Sequence, residues 1–223
     1  MTKARAGFDA ELEQLKLELI QMGGQVEDAI SRSIAALEES DRDEAKQIIE
    51  SDASIDQMEK AIESRCLRLL MRQQPVARDL RRISTALKII TDLERIGDHA
   101  SDISELTIRL AGSAPEAMAK HIPQMSGIAI EMVRDCVQAF IDSDLDKARR
   151  IIARDDAVDE LFGVVRGELV RTLAGEGGKE TADRAIDVMM VAKYLERIGD
   201  HAVNIAEWVV FFDTGVHKET PIL

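Results

Sequence analysis

Apolar residues recur at alternating intervals of three and four along almost the whole chain, a spacing that places them on one side of an α-helix. Turn-forming residues interrupt this pattern repeatedly, so the sequence predicts six long helices joined by short connections. The residues after the sixth helix, up to Leu223, lack the pattern, and we expect them to form a loose tail. The predicted helices span about Phe8–Glu38, Ser40-Asp41 to Gln73, Pro75–Leu110, the Pro115 and Pro123 region to Ile141, Ser143 or Asp144 to Ala174, and Thr181–Phe212.

The octapeptide LERIGDHA occurs twice, at Leu93–Ala100 and Leu195–Ala202, 102 positions apart, which indicates an internal duplication. Earlier residues also correspond, but at an offset of 103, so we expect a one-residue length change in the QQP and AGEGG turns. The corresponding residues are Ser40, Asp41, Asp43, Ala45, Asp52 and Asp56 in the first half, and Ser143, Asp144, Asp146, Ala148, Asp155 and Asp159 in the second. The predicted fold is therefore all-α, with two tandem, sequence-related three-helix bundles at residues 1–112 and 113–213 and a loose tail at 214–223.

Helices three and six each carry a regular apolar stripe that is typical of a helix packed in a bundle interior. The stripe residues are Leu93, Ile96, Ala100, Ile103, Thr107 and Leu110 on helix three, and Leu195, Ile198, Ala202, Ile205, Val209 and Phe212 on helix six. At 100° per residue, the acidic residues of each octapeptide lie nearly opposite the stripe. We therefore expect these acids on an outer or grooved surface rather than in the bundle centre.

Each octapeptide holds two carboxylates four residues apart, which are neighbours on one helical face. If helices two and three form an antiparallel hairpin, counting from the turn places Asp56 level with Glu94 and Asp52 level with Asp98. The same count applies to the second half. Such clusters of acids repel one another unless protons, cations or arginines intervene, and a hard or borderline metal ion would relieve the repulsion. The candidate metal ligands are Asp52, Asp56, Glu94, Asp98, Asp155, Asp159, Glu196 and Asp200.

An alternative to metal is compensation of the acids by Arg95 and Arg197, which stand beside them in the sequence. Glycine inside a helix costs about 1 kcal/mol relative to alanine. Gly97 and its counterpart Gly199 therefore indicate a close approach of another backbone or of an ion cluster, or else tight helix packing. His99 and His201 are rotated away from the acids, and we interpret them as peripheral polar residues rather than ligands.

The net charge of −13 and the pI of about 4.8 exclude most nucleic-acid partners, since no stretch concentrates Lys or Arg. Cys66 and Cys136 lie among apolar neighbours and are expected to be buried thiols. The absence of a leader and of a long apolar run leads us to expect a cytoplasmic protein. Trp208 and Phe211 lie off the apolar stripe, so we expect them to be exposed and to favour a homodimer. No motif for nucleophilic catalysis or nucleotide binding is present.

Three motifs in order resemble the PhoU family of phosphate-signalling regulators: FDAELEQLKLELIQMGGQVEDAI, RQQPVARDLRRI and the duplicated ERIGD. The resemblance covers nearly the whole chain and implies a pair of three-helix bundles. It also implies divalent or trivalent metal ions, bound singly or in multinuclear clusters through the E(D)xxxD pairs. The metal could be Fe, Zn, Mn or Mg. One departure is that the DLR element at Asp79, Leu80 and Arg81 is replaced by TADRAI in the second half.

The resemblance further implies a negative regulator of phosphate uptake and of the phosphate-starvation response, without catalytic activity. Its expected partners are the ATPase subunit of a phosphate ABC transporter and a phosphate sensor histidine kinase, so any membrane association would be through partners. Two alternatives remain open from the residues. One is a di-metal carboxylate enzyme, although the Glu-x-x-His motif of that class is absent; the other is a helical scaffold without a ligand.

Overall fold

The structure, a computed structural model, describes residues 3–73, 75, 77–110, 116–175, 178–218 and 220–222. Within these ranges the chain forms six α-helices followed by a short two-stranded antiparallel sheet. The elements are α1 (Lys3–Glu39), α2 (Arg42–Gln73), α3 (Ala77–Leu110), α4 (Glu116–Asp142), α5 (Leu145–Ala174), α6 (Lys179–Thr214), β1 (Val216–His217) and β2 (Thr220–Pro221). The predicted all-α fold with six long helices is confirmed.

The six helices form two bundles of three, one from each half of the chain. Helices α1, α2 and α3 pack against one another, as do α4, α5 and α6. The halves join where α3 packs against α6 and α1 packs against α4. Gly23 of α1 takes part in the second contact, because a Cβ at this position would lie 3.0 Å from Cγ2 of Val137 in α4.

The two predicted apolar stripes are buried along their whole length, and they form the centre of the molecule. Each fully buried Leu or Ile contributes about 1.5–3 kcal/mol relative to an exposed position, so these stripes are a major source of stability. Residues of both stripes belong to one continuous apolar core. This core therefore joins the two bundles. The faces of α3 and α6 that lie opposite the stripes point outward.

The turn between the first two helices of each half has the same geometry in both copies. Ser40 and Ser143 have φ angles of 56° and 57°, in the left-handed region. The next residue, Asp41 or Asp144, accepts a hydrogen bond from the backbone N–H three residues later, at 3.0 and 2.8 Å respectively. This capping satisfies one free N–H of the following helix. The duplication is thus visible in local structure as well as in sequence.

The entry to α4 differs from the prediction. Pro123 lies inside α4, which already begins at Glu116. A proline removes one backbone N–H from a helix and disturbs the preceding turn, but the helix can continue when its apolar face is buried. Ile122 and Met125 on either side of Pro123 are buried. Pro115 and parts of the QQP and AGEGG turns lie outside the described residues.

The predicted loose tail is wrong for the residues that the structure describes. Gly215 adopts a φ of 76°, which ends α6 and reverses the chain into the β1–β2 hairpin. The His217 ring then stacks on Trp208 with the ring centroids 3.8 Å apart. Phe211 is only 2% exposed. Trp208 is half-buried and Phe211 is buried, so the prediction that both are exposed is wrong.

Both cysteines are buried, as predicted. Burial raises the pKa of the Cys66 thiol to about 12, because a thiolate would lose its hydration there. None of the described helices combines the length and apolar character needed to cross a lipid bilayer.

Candidate metal centre

Helices α2 and α3 run antiparallel and bring acids from both helices together. One carboxylate oxygen from each of Asp56, Glu94 and Asp98 lies within 4.8 Å of the other two. The hairpin count from the sequence anticipated this meeting of the two helices. All three side chains are partly buried, so they lie at the bundle surface and not in its centre, as expected. We call Asp52, Asp56, Glu94 and Asp98 the first acidic cluster.

Asp52 lies one turn before Asp56 on α2 and completes the first acidic cluster. Its pKa is raised to about 6, mainly by loss of hydration and then by the negative charges of Asp98 and Asp56. The pKa of Glu94 is raised as well, by partial burial and by Asp98, while Arg95 opposes the shift. The carboxyl groups of this cluster therefore repel one another, and a cation placed among them would be stabilised.

Basic side chains partly neutralise the first acidic cluster from its rim. Arg95 donates a hydrogen bond of 2.9 Å to Asp98 and lies 3.4 Å from Glu94. Lys60 lies 3.8 Å from Asp56. The Arg95 and Lys60 side chains are 56% and 71% exposed, so both can move into solvent without leaving a buried charge. The arginine compensation predicted for the first half is thus present together with the acid cluster.

The glycines of the two octapeptides give α2 and α5 room to approach α3 and α6. A Cβ on Gly97 would lie 3.0 Å from Cδ1 of Ile55 and 3.4 Å from Oδ1 of Asp52. A Cβ on Gly199 would lie 3.0 Å from Oδ1 of Asp155. Tight helix packing, one of the predicted reasons for the glycines, is therefore confirmed for Gly97, and each glycine also faces an aspartate of its acid cluster.

The second half places Asp155, Asp159, Glu196 and Asp200 in corresponding positions, and we call this group the second acidic cluster. The pKa of Asp155 is raised to about 6 by loss of hydration and by the charges of Asp159 and Asp200. Its Oδ1 atom is buried and has no hydrogen-bond partner among the described residues. An orphaned carboxylate oxygen of this kind calls for a proton or a cation.

The two clusters nevertheless differ in spacing and in their basic neighbours. Within the part of the chain that the structure describes, three acidic ligand atoms approach within 4.8 Å only in the first cluster. In the second cluster Lys193 donates a hydrogen bond to Glu196. The Asp159 and Asp200 residues are exposed, whereas their counterparts Asp56 and Asp98 are partly buried.

The octapeptide histidines lie at the interface between the halves, and the interpretation of them as peripheral residues is wrong. His99 is 7% exposed, and its ring stacks on Tyr194 of α6 at a centroid distance of 5.4 Å. His201 Nδ1 lies 2.8 Å from Oδ1 of Asp92 on α3. Asp92 and Tyr194 were not among the residues predicted from the sequence. They precede the duplicated glutamates by two residues and differ between the two copies. This difference beside an identical octapeptide is the sequence feature that could have drawn attention to them.

A groove of about 530 Å³ opens beside the first acidic cluster at this interface. Asp52 and Asp98 lie on one of its sides, while His201 and Arg197 reach it from α6. The groove gives solvent and ions a route to the cluster from the junction of the two halves. Arg197 therefore lines a groove that belongs mainly to the other half of the molecule.

The donors of the first acidic cluster fit a metal ion that prefers oxygen ligands. Carboxylates are the usual protein ligands of Mg²⁺ and Mn²⁺, and iron and zinc also accept them. The part-buried position limits hydration of the acids, and their mutual repulsion would be relieved by a bound cation. No histidine belongs to the group of three converging acids, so the described residues provide oxygen ligands alone at this point.

The fold and the acidic helix pairs together define a class of protein, a tandem repeat of three-helix bundles with duplicated E(D)xxxD segments. The family model described as PhoU domain matches the chain twice, at residues 19–107 and 122–209. The chain therefore belongs to the PhoU family, as the three motifs predicted.

Curated relatives support this membership over nearly the full length. The chain is 40% identical over 209 residues to the phosphate-specific transport system accessory protein PhoU homolog of Clostridium acetobutylicum, covering 93% of this chain and 94% of that protein. It is 34% identical to the phosphate-specific transport system accessory protein PhoU of Escherichia coli K12, covering 93% of this chain and 86% of that protein.

Two crystal structures share the fold. PhoU from Pseudomonas aeruginosa matches with a TM-score of 0.88 at 36% identity, covering 94% of this chain and 100% of that one. The phosphate transport system regulatory protein PhoU from Streptococcus pneumoniae matches with a TM-score of 0.86 at 29% identity, covering 94% of this chain and 98% of that one. The predicted pair of PhoU-like bundles is therefore confirmed.

Proposed function

We propose that this chain is a cytoplasmic, non-catalytic accessory protein that represses phosphate uptake and the phosphate-starvation response. The observation that carries the proposal is the match to phosphate transport accessory proteins over 93% of the chain. In this proposal the chain links the ATPase subunit of a phosphate ABC transporter to a phosphate sensor histidine kinase. It contacts the membrane only through these partners.

We further propose that metal ions bind the acidic clusters and fix each helical hairpin. In the first cluster Asp56, Glu94 and Asp98 would supply the oxygen ligands, with Asp52 beside them. In the second, Asp155, Asp159, Glu196 and Asp200 would do so. A bound cation removes the repulsion between α2 and α3, so it holds the hairpin in one arrangement and presents a constant outer surface to the partner proteins.

Metal binding is tested by replacing Glu94, Asp98, Glu196 and Asp200 with Ala and measuring bound metal by elemental analysis of freshly purified protein. We expect metal to be lost. The matched control removes four exposed acids outside the clusters, Glu13, Glu38, Glu50 and Glu160. This control changes the net charge equally, so retention of metal by the control and loss by the first variant assigns binding to the clusters. Unchanged metal in both proteins would remove this part of the proposal.

Regulation is tested in a host that lacks its own gene for this accessory protein. Expression of the chain should repress a phosphate-starvation reporter in phosphate-rich medium, and the transporter ATPase and the kinase should be recovered with a tagged copy. Repression without recovery of either partner would contradict the linking role. Full repression by the variant without metal would make the metal structural for the isolated protein and unnecessary for signalling.

A further inference from the structure

The two acidic clusters are built from duplicated helices, but two positions beside them differ between the halves. With the offsets of 103 and 102 residues, Glu59 of the first half corresponds to Phe162, and Thr91 corresponds to Lys193. The first half thus has an acid and a neutral side chain where the second has an aromatic ring and a base. The changed positions lie on α2 and α3 in one half and on α5 and α6 in the other.

The two changed residues of the second half contact each other and the cluster. The Lys193 ammonium lies 5.4 Å from the centre of the Phe162 ring, within the range of a cation–π interaction. The same ammonium donates a hydrogen bond to Glu196. The Lys193 side chain is 36% exposed and the Glu196 side chain 14% exposed. The ring therefore supports the ammonium in a position where it already compensates one of the predicted metal ligands.

The first half has the opposite arrangement. Glu59 is close enough to contribute, together with Asp98 and Asp56, to the raised pKa of Glu94, so it adds negative charge to the first cluster. Thr91, at the position of Lys193, carries no charge. The nearby bases Lys60 and Arg95 have side chains that are 71% and 56% exposed, more than that of Lys193. They are therefore easier to displace when an ion enters.

We propose that Lys193, supported by Phe162, acts as a built-in cation of the second acidic cluster, so that metal ions fill the first cluster before the second. This inference rests on the proposed metal binding and specifies its order. A divalent ion entering the second cluster must displace the ammonium from Glu196 or bind beside a like charge. Either event weakens binding at short range. The first cluster offers converging oxygens, and its bases Arg95 and Lys60 are more exposed than Lys193 and so easier to displace. The buried Oδ1 atom of Asp155 has no hydrogen-bond partner among the residues that the structure describes, so the second cluster can still bind an ion, but with lower affinity than the first cluster.

The test measures Mn²⁺ binding to metal-free protein, with free Mn²⁺ followed by electron paramagnetic resonance. Mn²⁺ suits the test because it prefers oxygen ligands. The wild-type chain should show two classes of site, and Ala at Asp56, Glu94 and Asp98 should remove the tighter class. In that triple-Ala background, Lys193→Thr should tighten the remaining class about tenfold or more. The matched control is Lys179→Thr, which removes an exposed lysine from the start of the same helix.

A second variant, Phe162→Leu in the same background, removes the ring that supports the ammonium without changing the charge, and it should also tighten binding. Circular dichroism confirms that each variant is folded. If the triple-Ala protein binds as tightly as the wild type and Lys193→Thr changes nothing, the order of filling is overturned while metal binding stands. If neither the wild-type chain nor any variant binds Mn²⁺, the proposed metal binding fails together with this inference.

Discussion

His201 of α6 lies with its Nδ1 atom 2.8 Å from Oδ1 of Asp92 on α3, so the motif histidine of the second half binds the first half. The residues that correspond to His201 and Asp92 in the opposite halves are His99 and Tyr194, and their rings stack instead of forming a hydrogen bond. The two halves therefore meet through equivalent positions that use a polar contact on one side and an aromatic contact on the other. Asn204 also reaches Asp92, at 3.5 Å. Asp92 is thus a polar anchor of the interface between the halves.

Replacing Asp92 with Ala should destabilise the protein by about 1–3 kcal/mol, because it leaves the part-buried ring of His201 without its partner. Urea unfolding at pH 7 measures the change. The control is Glu13→Ala, which removes an exposed acid paired with Lys16 on the surface of α1. Its effect should stay within about 0.5 kcal/mol. Equal effects of the two substitutions would contradict the anchoring role of Asp92.

Periodicity predicted the parts of the structure in which burial repeats along one helix. The stripes of α3 and α6 are buried as expected. Apolar residues at the helical period of 3.6 lie on one face, and a helix in a bundle buries that face in the interior. The meeting of Asp56 with Glu94 and Asp98 followed from counting residues on either side of a turn. Both results depend on local geometry, and local geometry is what a sequence specifies most directly.

Contacts between the two halves could not be read from the sequence in the same way. The burial of His99 depends on Tyr194, about one hundred positions away, and on how two bundles dock. The same limit applies to Phe211, which lies off the stripe of α6 but is buried. A single-helix projection shows one apolar face, whereas α6 packs against three other helices, α3, α4 and α5. Tertiary packing therefore decided the positions that periodicity assigned to solvent.

Replacing Gly97 with Ala should destabilise the protein, although alanine is the better helix former by about 1 kcal/mol. The added methyl group would lie 3.0 Å from Cδ1 and 3.3 Å from Cγ2 of Ile55, and overpacking of this kind costs about 1–3 kcal/mol. Thermal and urea unfolding measure the net loss. Adding Ile55→Val should recover part of it, because the smaller side chain removes Cδ1.

The matched control for this substitution is Gly167→Ala in α5, where an added Cβ has no heavy atom within 4 Å. This variant should gain about 0.5–1 kcal/mol from helix propensity alone. If Gly97→Ala were as stabilising as Gly167→Ala, the tight approach of α2 to α3 would be contradicted.

The acidic clusters should make the metal-free protein less stable as the pH rises. The pKa values of Asp52 and Asp155 are about 6, raised from 3.8, so the folded state binds more protons than the unfolded state between about pH 4 and 6. Stability from these groups therefore falls as the pH rises through this window and stays low above it. The lowered pKa of buried His99 acts in the opposite direction, because its protonation at acid pH favours unfolding.

The contribution of the aspartates is isolated by comparison with a variant carrying Asp52→Asn and Asp155→Asn. Melting temperatures of the two metal-free proteins, measured from pH 4 to pH 8, should differ most at pH 7 and above, where the variant is the more stable. The difference should shrink as the pH falls below about 6, and the His99 contribution cancels because both proteins contain it. A difference that does not change with pH would contradict the repulsion within the clusters.

Mn²⁺ should raise the melting temperature of the wild-type protein, since an ion that binds only the folded state stabilises it by mass action. At a concentration of one hundred times its Kd, the gain is about 2.7 kcal/mol per site, or roughly 5–11 °C for a protein of this size. The gain should be large at pH 7.5 and smaller at pH 5.5, where protons compete for Asp52. Alanine at Asp56, Glu94 and Asp98 should remove most of it, whereas the variant lacking Glu13, Glu38, Glu50 and Glu160 should keep it. An equal gain in both variants would contradict binding at the first acidic cluster, because only the first variant lacks its converging oxygens.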